Sequence, residues 1–428
     1  MIDKNPRRRA WEFLQDVVRD DSYINIAIAK LYSEVKPNDR PFLTELLLGS
    51  TRMRKRLDYL IDALSERKID EQTRSVLRLA FYELFFMNSA DHAIGFEYVE
   101  LSKAVIGRAR SGFVNALLRR AVREKDTLND DQGMDLATRT SHPQWIVDAY
   151  LGHFPSKLDE LEKELNSHNR ASPVHVVSFE GLESDIAVPS EITPYGFRLK
   201  VPPSEVLDIR HGKAFVQDEG SQIVAEIALA TDSERSMRWL DLCAGPGGKF
   251  AYLARFLDAR HLEGNEIHEH RARMVRARVP SHVVHIGDGQ QFVDRQEIFD
   301  RILVDAPCTG IGALRRKADV RWRRTEDDLK GLISLQRDLL HRAAELLAPG
   351  GLILYVTCSP HLMETKAQVK DFLKRHEDFS QEPLPLGGVP ISIQRHLERS
   401  IQDDGSMQLF TERDGTDAMF MTLLRKDA

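Results

Sequence analysis

The sequence predicts a multidomain chain: an all-α N-terminal domain over residues 1–138, a small α+β connector over 139–214 and a C-terminal α/β domain over 215–428. Three observations predict it. Apolar residues in the first third recur every three and four positions, the period of amphipathic helices packed in a bundle. The middle is made of short apolar runs broken by proline and glycine. From Arg238 onward, strand-like runs alternate with helix-like ones, which argues for a mostly parallel sheet covered on both faces.

Composition narrows the function. Hydrophobic residues at 42% and charged residues at 29% describe a soluble globular protein of two or three cores. No apolar run is long enough to span a bilayer, and MIDKNPRRRAWEF lacks the apolar centre of a secretory signal, so a cytoplasmic protein without a membrane partner is expected. The net charge of −6 argues against a uniformly basic nucleic-acid binder and leaves local clusters to decide. Cys243, Cys308 and Cys358 are far apart and lack metal-ligand spacing, so neither a disulfide framework nor a metal site is expected.

The helical stripes are Trp11, Leu14 and Val17; Leu43, Leu46 and Leu47; Leu77, Phe81 and Leu84; and Val114, Leu117, Leu118 and Val122. Their polar sides carry Arg7, Arg8 and Arg9, then Arg52, Arg54, Lys55 and Arg56, then Arg119 and Arg120. Most such runs are solvated faces, but their repetition makes RNA binding a second reading. Residues 126–141 read as a polar linker. SHPQW then starts a helix, with Ser141 or His142 near the cap and Pro143 in the first turn. Strands are predicted at 238–242, 261–267, 283–288, 301–307, 352–358 and 418–424, with a weaker one near 407–410. Helices are predicted at about 249–258, 268–279, 328–348 and 361–375.

DLCAGPGGKF, Asp241 to Phe250, reads as strand, glycine turn, helix. Glycines there let the backbone approach a nucleotide-type ligand closely. Ligands of such sheets sit at strand carboxyl ends where the strand order reverses, so DLCAGPGG and DAPC should face each other. Glu266 ends the second strand, where a carboxylate takes ribose hydroxyls; Asp288, ending the third, suits an adenine edge; Asp305 ends the fourth. Each alone is as often a helix cap. Lys249 is followed by Phe250 rather than serine or threonine, which excludes a phosphate-binding loop for ATP hydrolysis.

After Cys308, the loop with Thr309, Gly310 and Gly312 reads as flexible. Arg315, Arg316, Lys317, Arg321, Arg323 and Arg324 then crowd around Trp322. Arginines for phosphates and a ring for a base are a single-stranded nucleic-acid signature. In YVTCSPHLMET, Cys358 ends a strand, Ser359 can cap and Pro360 can open a helix. A thiol just before a helix N-terminus gains thiolate character and suits a nucleophile.

The motifs DLCAGPGGK, DAPCTGIG and VTCSP closely resemble the RNA 5-methylcytosine methyltransferases, and HAIGFEYVELSKA with GFVNALLRRAVRE resembles the domain related to the antitermination factor NusB. The combination is that of the bacterial members acting on small-subunit (16S) ribosomal RNA. The resemblance covers nearly the whole chain, least over 171–215. It implies a NusB-like RNA-binding domain over 1–138 and a Rossmann-like S-adenosyl-L-methionine-dependent methyltransferase domain over 215–428. It implies cofactor contacts from Cys243, Ala244, Gly245, Pro246, Gly247, Gly248, Lys249, Glu266, Asp288 and Asp305. It also implies Cys358 as nucleophile and Cys308 in product release. Departures are Gly245 for alanine, Thr365 for asparagine after Glu364, and Ala418 and Met419 in an Asp-Gly-Phe-Phe motif; none removes a catalytic group.

The chemistry explains two thiols and an acid. Carbon 5 of cytosine is a poor nucleophile until a thiolate adds at carbon 6. Asp305 on the ring nitrogen and amine would stabilise the resulting charge, with Lys249 assisting in position. The base must be unstacked or single-stranded. Arg315, Arg316, Arg321 and Trp322 are the expected RNA contacts. Ribosomal RNA rather than DNA is the expected partner, and a monomer the expected state. The rivals are a transfer RNA substrate, a non-catalytic RNA-binding assembly factor, and a DNA cytosine methylase, which would place its nucleophile after the proline and need no second cysteine.

Overall fold

The apolar stripes of the N-terminal third fold as helices Pro6–Arg19, Ile24–Glu34, Arg40–Arg52, Arg54–Ala63, Glu71–Phe86, Asp91–Val105 and Arg108–Arg123 in the computed structural model, which describes residues 5–292 and 298–428. The first four residues of the expected helical domain lie outside the described residues. Leu43, Leu46, Leu47, Leu77 and Phe81 are wholly buried in one cluster. Burying each such side chain stabilises the fold by about 2 kcal/mol. Val122 instead ends its stripe 37% exposed. Gly49 marks a tight crossing, since a Cβ there would lie 2.0 Å from the Tyr82 ring.

The basic runs on these helices are largely used internally. Arg7 pairs with buried Glu83, Arg8 and Arg9 with Glu12, and Arg56 with Asp131. Arg52 is buried and donates to the Arg315 carbonyl at 3.0 Å. The polar stretch read as a linker contains the short helices Lys125–Leu128 and Leu136–Arg139. The next helix is Gln144–Leu151, with Pro143 at its cap rather than in its first turn. Ser141 is buried, and its hydroxyl accepts from Lys55 N–H at 3.1 Å, so it serves the start of Arg54–Ala63 instead.

The chain divides into two units. One comprises the residues up to Ala171 with Leu314–Arg323, and the other comprises Ser172–Ala313 with Arg324–Ala428. The stretch expected as a connector is thereby shared. Its helices Gln144–Leu151 and Leu158–Ser167 fall in the first unit, and its strands in the second. Those strands, β1 (His175–Ser178), β2 (Ala187–Pro189), β3 (Gly196–Leu199) and β4 (Ala214–Val216), form an antiparallel sheet of order β2-β3-β1-β4.

The second unit's larger sheet holds β5 (Trp239–Asp241), β6 (Leu262–Glu266), β7 (Val283–Ile286), β8 (Phe299–Asp305), β9 (Leu347–Thr357), β10 (Phe379–Glu382), β11 (Met407–Gln408) and β12 (Phe420–Lys426). Its order is β10-β12-β9-β8-β5-β6-β7, with β11 on β12. The five strands from β5 to β9 pair in parallel, and β12 runs antiparallel to β9. Strand order reverses between β5 and β8, as the alternation of elements predicts. Elements that escaped the sequence reading include β10, whose FSQE is too short and polar to signal a strand, and helix Ile391–Leu397.

The decapeptide Leu314–Arg323 owes its place in the helical unit to buried side chains. Leu314 and Arg321 are 0% exposed. The Arg321 Nη1 donates to the carbonyls of Arg52 (2.9 Å) and Ser141 (2.8 Å) and to Asn169 Oδ1 (2.7 Å). Trp322 Nε1 donates to the Thr51 carbonyl at 2.6 Å. Arg321→Ala takes the donor from two buried carbonyls and from the half-buried Asn169 side chain. We expect it to lower the stability of the intact chain by about 3 kcal/mol or more in urea denaturation followed by circular dichroism. A change under about 0.5 kcal/mol would contradict this role for the side chain.

Candidate active site

The site forms where β5, β6, β8 and β9 end. After β5, Leu242 N–H donates to the Leu303 carbonyl and Ala244 N–H to the Asn265 carbonyl, so the glycine loop stays clamped between neighbouring strands. Gly247 has φ +101°, where a side chain would be strained, and it opens helix Gly248–Leu253. A Cβ on Gly245 would lie 1.9 Å from Glu266 Oε2. Glycine at 245, where the resemblance expects alanine, is what lets this carboxylate lie against the loop.

Glu266 is nearly buried and accepts from His268 N–H at 2.8 Å. Arg271 donates to the Gly245 carbonyl at 2.9 Å and lies 3.7 Å from Glu266 Oε1, tying carboxylate and loop together. Asp288 accepts from the backbone and side chain of Gln290, and so acts here as the cap of the short turn Gly289–Gln291. Asn265, which the sequence reading passed over, bridges the Leu242 and Gly287 carbonyls that leave β5 and β7.

Asp305, at the end of β8, accepts from Lys249 Nζ at 2.8 Å. Burial alone would lower the Lys249 pKa; the charges of Asp305, Cys358 and Asp241 outweigh it and raise it. Asp241 is the opposite case. Burial, then repulsion from Asp305, pushes its carboxyl up to about 8. Cys243 has its thiol pushed up by burial and by Asp241, Asp305 and Glu266, which disfavours its thiolate.

Cys308 and Cys358 meet with their Sγ atoms 3.4 Å apart. The hydrogen bond to Cys358, then burial, pushes the Cys308 thiol well up. The expected reason for activating Cys358 is not the one the structure supplies. After β9 ends at Thr357 come the turn Leu362–Glu364 and only then helix Lys366–Arg375, so no helix begins at Ser359 or Pro360. Lys249 is a cation whose charge and that of Cys358 act on each other.

Two further expectations are corrected. The Thr309–Gly312 loop is pinned rather than flexible: Thr309 is buried, Gly312 N–H donates to the Cys358 carbonyl at 3.0 Å, and Ala418 N–H donates to the Gly312 carbonyl at 2.8 Å. Arg321, read as an RNA contact, is engaged inside the helical unit without any exposed surface; Trp322 is half-buried there, its Nε1 bonded to the Thr51 carbonyl, and keeps part of its surface open. Arg315 and Arg316 are half-buried members of the same decapeptide. The sequence reading also missed Asp241 as a titrating group, and Gln336 and Glu364 as supports of the cysteines. Asp241 and Glu364 sit in motifs whose chemistry drew attention to other residues, and Gln336 sits within a helix that carried no motif.

A family described as 16S rRNA methyltransferase RsmB/F matches residues 227–425, and the NusB family matches residues 4–123. The putative methyltransferase Rv1407 of Mycobacterium tuberculosis is 38% identical, over 98% of this chain and 96% of its own. Ribosomal RNA small subunit methyltransferase B of Salmonella newport is 30% identical over 94% and 97%. Among solved structures, PH0851 superposes with a TM-score of 0.72 at 22% identity, over 91% of each chain. NSun6 from Pyrococcus horikoshii with SFG does so at 0.54 and 16%, over 67% of this chain and 98% of that one. These likenesses show the fold.

The raised Asp241 carboxyl predicts a pH dependence. Its folded pKa of about 8 lies above the ordinary value of 3.8, so the native state holds an extra proton between them. The stability tied to that proton is fully present below pH 4 and lost as pH rises through 8. Asp241→Asn should flatten this fall, so that its urea midpoint changes less than the native protein's between pH 5 and pH 8. Parallel changes in the two proteins would reject the assignment.

Proposed function

Because the chain belongs to the 16S rRNA methyltransferase RsmB/F family, we propose that it methylates carbon 5 of a cytosine in small-subunit ribosomal RNA through a bond between Cys358 and carbon 6. It is an S-adenosyl-L-methionine-dependent methyltransferase, with a helical N-terminal domain of the NusB family. The residues present suit that cofactor. The Gly245 cradle sets a buried carboxylate over the loop. Gln217 Oε1 is buried without a hydrogen-bond partner on a side chain that lies beside Gly248. Glu266 would take the ribose, Asp288 the adenine edge, and the loop the remainder.

The observation that carries the reading is the pair of thiols beside Lys249 and Asp305. Cys358 adds as thiolate to carbon 6, and the pair of the 5,6 double bond becomes available at carbon 5. When bound, the cofactor supplies an electrophilic methyl group on a sulfonium, whose carbon that pair takes while the sulfur keeps its bonding pair. Lys249, kept charged by Asp305, is the fixed cation facing the negative charge that addition spreads over the ring. Asp305 would accept from the base's amine.

Release needs a base for the proton on carbon 5. While Cys358 is free, its hydrogen bond and charge hold the Cys308 proton on. Once Cys358 is bonded to carbon, both of these causes vanish and the Cys308 proton is lost to water more readily, while burial and the charge of Glu364 still favour the thiol. The relatives' names support ribosomal RNA as substrate, and covalent chemistry on a base needs that base unstacked or single-stranded.

The roles leave different traces. Cys308→Ala, incubated with the RNA and S-adenosylmethionine, should give a denaturation-resistant protein–RNA complex; Cys358→Ala and the double variant should give none. A complex from Cys358→Ala and none from Cys308→Ala would move the nucleophile to the loop after β8. Independently, Glu266→Ala should weaken cofactor binding about tenfold or more. Unchanged affinity in calorimetry would remove Glu266 from the ribose.

A further inference from the structure

Glu364 is wholly buried, yet among the described residues no lysine or arginine pairs with it. An unpaired buried carboxylate is an expensive group, kept only where donors converge on it. Its Oε1 accepts from Thr309 N–H at 2.8 Å and from Gln336 Nε2 at 3.1 Å, and its Oε2 accepts from the Thr309 hydroxyl. The same Gln336 Nε2 donates to the Pro307 carbonyl at 2.9 Å. The peptide groups on both sides of Cys308 are therefore gripped by two side chains, one from helix Glu326–Leu346 and one from the turn that follows Cys358. Thr309 Oγ1 also meets Ser359 Oγ at 3.2 Å, bracing one cysteine segment against the other.

The two thiols do not depend on this bracket equally. Cys358 directly follows Thr357, which is paired with Phe420 in the sheet. Cys308 lies three residues beyond Asp305, the last paired residue of β8, and has no ladder to hold it. We infer that Glu364, with Gln336, is a positioning residue that sets Cys308 for product release. The inference rests on the cysteine roles proposed above. In release, the proton on carbon 5 passes to Cys308, its bonding pair re-forms the 5,6 double bond, and the carbon 6–sulfur bond breaks with its pair returning to Cys358. A displaced Cys308 slows the first of these events and leaves addition and methyl transfer intact.

The test uses full-length protein with small-subunit ribosomal RNA and S-adenosylmethionine, and measures single-turnover methyl transfer, the fraction in denaturation-resistant adduct, and cofactor affinity. Glu364→Gln should transfer within about threefold of the native rate but release about tenfold or more slowly, so that adduct accumulates at native cofactor affinity. Thr309→Val deletes one hydroxyl and keeps the amide bond. It should show the same pattern more weakly, and it carries the test if Glu364→Gln does not fold. Transfer and release falling together, or adduct at the native level in the variants while Cys308→Ala traps it, would reduce Glu364 to a structural role. No adduct from Cys308→Ala would instead overturn the cysteine roles, and this inference with them.

Discussion

The parallel pairing of β8 with β5 on one side and β9 on the other is the constraint on which the rest of the second unit depends. Its register sets Asp241 opposite Leu303 and Asp305 opposite Val356. Three segments distant in sequence then leave the sheet at one edge: the glycine loop, the loop with Cys308 and the turn with Cys358. Interior backbone bonds fix these strands, so the relative positions of a lysine, two carboxylates and two thiols are set by the fold rather than found by flexible side chains. Clamping of the glycine loop to Leu303 and Asn265 extends that control past the strand ends.

Electrostatics follow from the same crowding. Asp241 and Asp305 gather around one buried ammonium, and Glu266 adds its repulsion on Asp241, too many acids for all to ionise comfortably. The deepest, Asp241, yields by holding its proton near neutrality, while Asp305 keeps the direct bond to Lys249. This division keeps the Lys249 ammonium, which interacts with Cys358, bonded to Asp305. A side-chain charge differs from a helix terminus as the source of such an influence, because it depends on the protonation and position of a single residue.

Much of this was legible in the sequence where local pattern and chemistry coincide. Continuous apolar runs such as LILYV can only be buried strands, and acids or cysteines at their ends can only lie at the sheet's edge. What was not legible depended on partners far along the chain. Ser141 looks like a cap for the helix it precedes, yet serves one more than eighty residues earlier. Arg321 and Trp322 look like RNA contacts because arginines clustered about a ring suit phosphates and a base, but burial of Arg321 is decided by acceptors on residues 52, 141 and 169. Glu364 carries no local sign of its role, since its donors come from Thr309 and Gln336. A short polar edge strand such as β10 has no interior to advertise.

The excursion of Leu314–Arg323 into the helical unit bears on how such a protein can be rebuilt or recombined. The units cannot be exchanged between relatives as cassettes through one junction, because the boundary is crossed at three places, after Ala171, Ala313 and Arg323. A chimera joined only near Ala171 would pair one parent's helices with the other parent's decapeptide, and its buried arginine would have to find matching carbonyls in a foreign scaffold. Sequence divergence in the helices and in this decapeptide is therefore tied together, although nearly a hundred and fifty residues of the other unit separate them in the chain.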